Sequence, residues 1–149
     1  MAQSSKIAVL NGPNLNMLGM REPDIYGNQT LADIEAGCRA LADKEQMDID
    51  WFQSNLEGEL IGKIQSVSGL ADWIIINAAG LTHTSVALRD ALSLFPGGVI
   101  EVHLSNIHAR EPFRHSSFIS PIASGVIVGF GAGSYYIAIN AILHQQLET

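Results

Sequence analysis

Residues Lys6 to Asn11 read KIAVLN, an apolar run too short for a helix and bounded by polar residues, which predicts a buried strand. From Thr30 to Glu45, Leu31, Ile34, Cys38 and Leu41 recur at helical spacing, and Thr30 with Asp33 has the spacing of a capping box. Met47 to Gln53 alternates as a second strand. Glu57 to Ser68 carries Leu60, Ile61, Ile64 and Val67 on one helical face, and Asp72 to Asn77 (DWIIIN) is a continuously apolar strand. Ser85 to Phe95 is predicted helical through Leu88, Ala91, Leu92 and Phe95. Val99 to Leu104 is a fourth strand, Gly125 to Val128 a fifth, and Tyr135 to Leu147 a closing helix.

Strands that alternate with helices pair in parallel through right-handed crossovers, so both faces of the sheet are covered. The expected fold class is α/β: a flavodoxin-like, three-layer α/β/α sandwich with a five-stranded parallel sheet. At 149 residues the chain fits one domain, residues 1–149. In such sheets ligands bind outside the carboxyl ends of the strands. Those ends carry NGPNLNMLGMREPDIYG (11–27), NAAGLTHTS (77–85) and HLSNIHAREPFRH (103–115), whereas the opposite ends carry little beyond Lys6, Asp72 and Gly97–Gly98. Polar chemistry is segregated to one rim, and the segment 11–27 is too rich in Asn, Gly and Pro for a regular helix or strand.

Charge sharpens the picture. The formal net charge of −7 argues against a nucleic-acid partner, which requires a clustered basic face. Yet His103 to His115 contains three of the five histidines together with Arg110 and Arg114, and His83 and Arg21 belong to the same rim. A locally basic site in an acidic protein suits a small anion, with carboxylate the natural match for guanidinium and backbone amides. The single cysteine, Cys38, lies on the apolar stripe of its helix and reads as a small buried hydrophobe. The opening MAQSSK has no basic-then-apolar leader, and no apolar run approaches the ~18 residues that span a bilayer. A soluble cytoplasmic protein without a membrane partner is expected.

Glu101 and His103 are two apart in a strand and project to the same face, opposite Ile100, Val102 and Leu104. A carboxylate beside an imidazole fixes its tautomer and favours the protonated ring, as a general acid requires. A core histidine in an internal ion pair fits these two residues equally well. Tyr26 and Arg21 share a loop bounded by Gly19 and Gly27, whose permissive dihedrals suit a lid. Tyrosine ordinarily titrates near pH ~10, and an adjacent guanidinium favours the phenolate. By itself this pattern also fits a tyrosine packed on the surface.

Absences narrow the reaction. Lys6, Lys44 and Lys63 lie away from the rim, which disfavours Schiff-base chemistry. Neither G-x-S-x-G nor G-x-x-x-x-G-K-[ST] occurs, and GFGAG (129–133) is followed by too little chain for a dinucleotide fold, so it reads as a tight strand-to-helix turn. His83, His103 and His108 with Glu101 have irregular spacing for zinc, and no metal is expected.

Four strings carry a family resemblance: LNGPNLNMLGMREPDIYG (10–27), QSNLEGELI (53–61), NAAGLTHTSVALRDA (77–91) and EVHLSNIHAREPFRHSS (101–117). In this order, along essentially the whole chain, they resemble the type II 3-dehydroquinate dehydratases. The resemblance implies a flavodoxin-like fold, no cofactor, no metal, and a homo-oligomer, a dodecamer built as a tetramer of trimers. It implies elimination of water from 3-dehydroquinate to give 3-dehydroshikimate, the third step of the shikimate pathway. Tyr26 then corresponds to the base and Arg21 to the lid residue that activates it. Asn14 holds the water that stabilises the enolate, and His103, oriented by Glu101, protonates the departing hydroxyl. Asn77 and the backbone amides of Leu104 and Ser105 match the carboxylate-binding set, His83 and Arg114 the hydroxyl-binding set, and Asp90 a residue that reaches into a neighbouring subunit's site. Arg110 reads as a brace of its own loop. Ser116 stands where many relatives have a second histidine, and Phe118 where tyrosine is common.

Two other classes fit the fold. A non-catalytic flavodoxin-like module needs strand-one acids with a distal lysine, or a hydroxyl- and glycine-rich phosphate loop, and this chain has neither. A zinc hydrolase would use the histidines and would be exposed by stoichiometric metal.

Overall fold

The computed structural model describes residues 5–20, 24 and 28–148. Five parallel strands form one sheet: β1 (Lys6–Asn11), β2 (Asp48–Gln53), β3 (Trp73–Asn77), β4 (Gly98–His103) and β5 (Gly125–Val128), in the order β2-β1-β3-β4-β5. Among the described residues, α1 (Leu31–Lys44), α2 (Glu57–Val67) and α3 (Val86–Leu94) connect the first four strands, short 3-10 turns lead from β4 to β5, and α4 (Gly133–Leu147) follows β5. This is the flavodoxin-like α/β architecture that the alternation of elements predicts.

The period-two geometry of a strand divides the interior into two cores. Ile7, Val9, Ile75, Ile100 and Val102 point toward α1 and α4, where they meet Ile34, Cys38 and Ile139. Ala8, Leu10, Ile74, Ile76 and Val99 point toward α2 and α3, where they meet Leu60, Ile64 and Leu88. Burial on both faces explains why β1 and β3 are continuously apolar. Cys38 is fully buried in the first of these cores, as its place on the apolar stripe predicts.

The predicted helices run one residue too far where capping residues were counted in. Thr30 is the N-cap of α1; its side chain accepts from Asp33 N at 3.1 Å while the Asp33 carboxylate accepts from Thr30 N at 3.0 Å, completing the capping box. Ser85 caps α3 by accepting from Leu88 N at 2.9 Å and donates its own proton to Glu57 on the first turn of α2. The closing helix starts at Gly133 rather than Tyr135, because the GFGAG turn itself supplies the first residue. Gly129 and Gly131 there have φ of +96° and +59°, the left-handed backbone a tight turn needs.

After β1 the polar segment forms a short 3-10 turn, Leu15–Met17, pinned by buried Leu15 and Leu18. The proposed base Tyr26 and its partner Arg21, with most of the expected lid, lie outside the described residues. Among the described residues no helix is long and apolar enough to cross a membrane.

Candidate active site

The loops at the carboxyl ends of β1, β3 and β4 enclose a cleft of ≈ 180 Å³. Pro13 and Asn14 border it from the first loop, Asn77 and His83 from the second, and His103, Ser105 and Arg114 from the third. Parallel register makes this convergence possible: Asn11 ends β1 directly opposite Asn77 at the end of β3. Gly12 then donates its N–H to the Asn77 carbonyl at 2.8 Å, so the two loops leave the sheet in contact.

Glu101 and His103 lie on one face of β4, as their spacing predicts, and are 0% and 4% exposed. Glu101 Oε2 is 2.5 Å from His103 Nε2. Its other oxygen accepts from Ser120 Oγ at 2.6 Å and from Ser117 Oγ at 3.0 Å. Ser117 Oγ also accepts from Ile119 N and Ser120 N, each at 3.0 Å, which directs its only proton to the carboxylate. Burial would push the Glu101 carboxyl up, but these hydrogen bonds from His103, Ser120 and Ser117 outweigh it and hold it below the usual range. The group is therefore a buried anion, and because a carboxylate only accepts, the Nε2 of His103 carries the proton between them. Nδ1 is the nitrogen left to exchange a proton with a ligand.

The ring of His83 stacks on that of His103, with centroids 6.4 Å apart and planes 19° from parallel. His83 Nδ1 lies 2.8 Å from the Ser116 carbonyl, an acceptor, so Nδ1 is protonated, and Nε2 makes no hydrogen bond among the described residues. Arg114 is held by Glu111 at 3.1 Å and lies over the Phe113 ring, 5.0 Å from its centroid. Arg110 braces its own loop, donating to Ser105 Oγ at 3.2 Å with Glu111 at 3.7 Å, and borders the cleft as well. Glu111 is itself exposed and held below the usual carboxylate range by its own backbone N–H and by the two arginines. Among the described residues, two guanidiniums and two imidazoles thus border the cleft, with the acid partners beneath it or at its edge.

Asn14 is held in the left-handed region at φ 71°, and its N–H donates to Asn55 Oδ1 at 2.9 Å. Asn77 is 3% exposed at the cleft wall. Leu104 and Ser105 border the cleft directly after β4. Asp90 is exposed on α3 and does not border the cleft of its own chain. Among the described residues, no three His, Cys, Asp or Glu side chains are grouped so as to hold a metal ion.

Sequence reasoning missed Ser117 and Ser120, and it gave Tyr135 only a place in a helix. The hydroxyl run in HSSFIS is the one local sign of the first pair. Nothing local marks Tyr135, which reaches the strand ends by tertiary packing.

The family model for dehydroquinase class II matches residues 5–143. The 3-dehydroquinate dehydratase of Aeromonas hydrophila is 54% identical over 145 residues, 97% of each chain. That of Sodalis glossinidius is 56% identical over 145 residues, again 97% of each. Among solved structures, the type II dehydroquinase of Butyrivibrio crossotus has a TM-score of 0.92 at 42% identity, over 94% of this chain and 98% of that one. The type II dehydroquinase of Propionibacterium acnes has a TM-score of 0.91 at 38% identity, over 95% and 98%.

Proposed function

Since the chain belongs to the dehydroquinase class II family, we propose that it is a 3-dehydroquinate dehydratase, a hydro-lyase that converts 3-dehydroquinate to 3-dehydroshikimate. The observation that carries this reading is the Glu101–His103 pair buried at the end of β4, opening onto a cleft with Asn77, His83 and Arg114. A small polyhydroxylated carboxylate matches the cationic and amide donors gathered there.

In this reading the Tyr26 phenolate, favoured by Arg21, takes a proton from the carbon next to the substrate ketone. The electron pair passes to the ketone oxygen, and the enolate is stabilised by a bound water held near Asn14 and the adjacent loop backbone. As the enolate collapses, the carbon–carbon double bond forms and the carbon–oxygen bond to the hydroxyl breaks. His103 delivers the proton from Nδ1, so the leaving group departs as water. Glu101 keeps the opposite nitrogen protonated and the ring in place. Asn77 and the backbone amides of Leu104 and Ser105 hold the carboxylate, while His83 and Arg114 hold ring hydroxyls.

The exposed position of Asp90 supports its role in the site of a neighbouring subunit, within a dodecamer arranged as a tetramer of trimers. No cofactor, metal ion or imine enters the scheme, and the whole chain acts as one catalytic domain in the third step of the shikimate pathway. An absorbance assay for the conjugated product, run with and without borohydride, tests both the reaction and the mechanism. Product formation that borohydride leaves untouched is expected. No product, or inactivation by borohydride that depends on substrate, would overturn the reading.

A further inference from the structure

A buried hydrogen-bonded relay behind the cleft has a direction that can be followed atom by atom. Asn11 and Asn77 are register partners at the ends of β1 and β3, and Tyr135, on the first turn of α4, reaches between them. Asn11 Nδ2 donates to the Phe52 carbonyl at 3.1 Å, which orients that amide and turns its oxygen to Tyr135. The Tyr135 hydroxyl donates its single proton to Asn11 Oδ1 at 2.6 Å. Toward Asn77 it has only lone pairs left, and it accepts from Nδ2 at 3.0 Å. Asn77 Oδ1 in turn accepts from Ala79 N at 3.2 Å.

The reversed Asn77 amide is excluded by this arrangement. Turned over, it would set its oxygen against the lone pairs of Tyr135 and its NH₂ group against the Ala79 N–H, two repulsive contacts at a site only 3% exposed. The trans-sheet ordering of Tyr135 is reinforced by the Trp51 ring, whose centroid lies 5.9 Å from its own. One N–H of Asn77 is thus committed to Tyr135, and the second makes no hydrogen bond among the described residues although the side chain borders the cleft.

We propose that Tyr135 and Asn11 are positioning residues that lock Asn77 as a hydrogen-bond donor, so that this point of the cleft selects a ligand oxygen with a free lone pair, such as a carboxylate oxygen, and rejects a donor-only group. Neither residue touches the ligand; both act through Asn77. The use of 3-dehydroquinate as the probe rests on the dehydratase reading, whereas the relay itself does not.

The test is Tyr135→Phe, which keeps the ring and removes the hydroxyl. KM for 3-dehydroquinate should rise about tenfold, the worth of one misdirected hydrogen bond, with kcat changed much less. In an Asn77→Ala background the same change should alter KM by no more than about twofold, because the effect travels through Asn77. Wild-type KM in Tyr135→Phe, or an equal rise in both backgrounds, would overturn the proposal. Asn11→Ala supplies a second arm should Tyr135→Phe fail to fold: it frees the tyrosine proton to reach Asn77 Oδ1, and an unchanged KM would be equally fatal. If the wild-type protein shows no dehydratase turnover, the functional reading falls alone. Crystal structures of the two variants then decide the relay, which requires the Asn77 amide to turn over or to leave its Ala79 N–H contact, and is overturned if both its orientation and that contact are kept.

Discussion

Glu101 and His103 are joined through Oε2 and Nε2 at 2.5 Å, with the far side of the carboxylate saturated by Ser117 and Ser120. The serine donors decide what happens when the carboxylate becomes an amide. In Glu101→Gln the amide oxygen takes the serine side, so the NH₂ group faces His103 and donates to Nε2, inverting the imidazole tautomer. A fall in kcat on the order of 10²–10⁴-fold with little change in KM is expected, the range that general acid catalysis contributes. Steady-state kinetics check it, and turnover near wild type would remove Glu101 from this role.

The same carboxylate makes stability depend on acidity. Hydrogen bonds hold its folded value below the ordinary 4.5, so its contribution is complete above that value and is lost as pH falls through the folded one. Ser120→Ala removes one donor and raises the folded value toward the unfolded one. That variant should lose about 1–3 kcal/mol at neutral pH and show a flatter decline of stability below pH ~4.5 than wild type. Urea unfolding across the acid range measures both, and parallel curves would contradict the assignment.

Two glycines should respond in opposite directions to alanine. A Cβ on Gly12 would lie 2.5 Å from the Ala78 carbonyl oxygen, a backbone atom that has no room to turn away. Gly12→Ala should cost about 1–3 kcal/mol and weaken substrate binding, since both loops it joins border the cleft. On Gly62, inside α2, an added Cβ meets nothing within 4 Å. Gly62→Ala should stabilise by about 0.5–1 kcal/mol, because alanine loses less backbone entropy in a helix. Denaturant midpoints of the two variants make the comparison.

Cys38 should be inert in the folded protein. Burial, helped by Glu35, pushes its thiol up to about 12, so almost no thiolate is present at neutral pH. An aromatic disulfide reagent should release no chromophore from native protein and one equivalent per chain after guanidinium unfolding. Rapid labelling of the native state would contradict this burial.

Much of the fold was legible because period-two and period-3.6 apolar patterns are local. Ile74–Ile76 could only be a strand covered on both faces, and Leu60 with Ile64 only an inward helix stripe. The capping box of Thr30 and Asp33 was equally readable, since both partners lie within four residues. Glu101 and His103 were visible together because neighbours two apart share a face. Ser117 and Ser120 were not, for their tie to Glu101 spans 16 and 19 residues and depends on how a loop folds back under β4. Tyr135 is more remote still, 124 residues from Asn11 and 58 from Asn77. Its hydroxyl gains a purpose only once the sheet has brought β1 and β3 side by side.

Asn14 and Ala79, both bordering the cleft, are two non-glycine residues with φ above +50°, at 71° and 52°. Alanine has no side-chain hydrogen bond to offset such a conformation, so the packing of the sheet below must impose it. At these two positions the receptor is consequently shaped before any guest arrives. Its floor should superimpose in empty and occupied states, and association should cost little in backbone ordering.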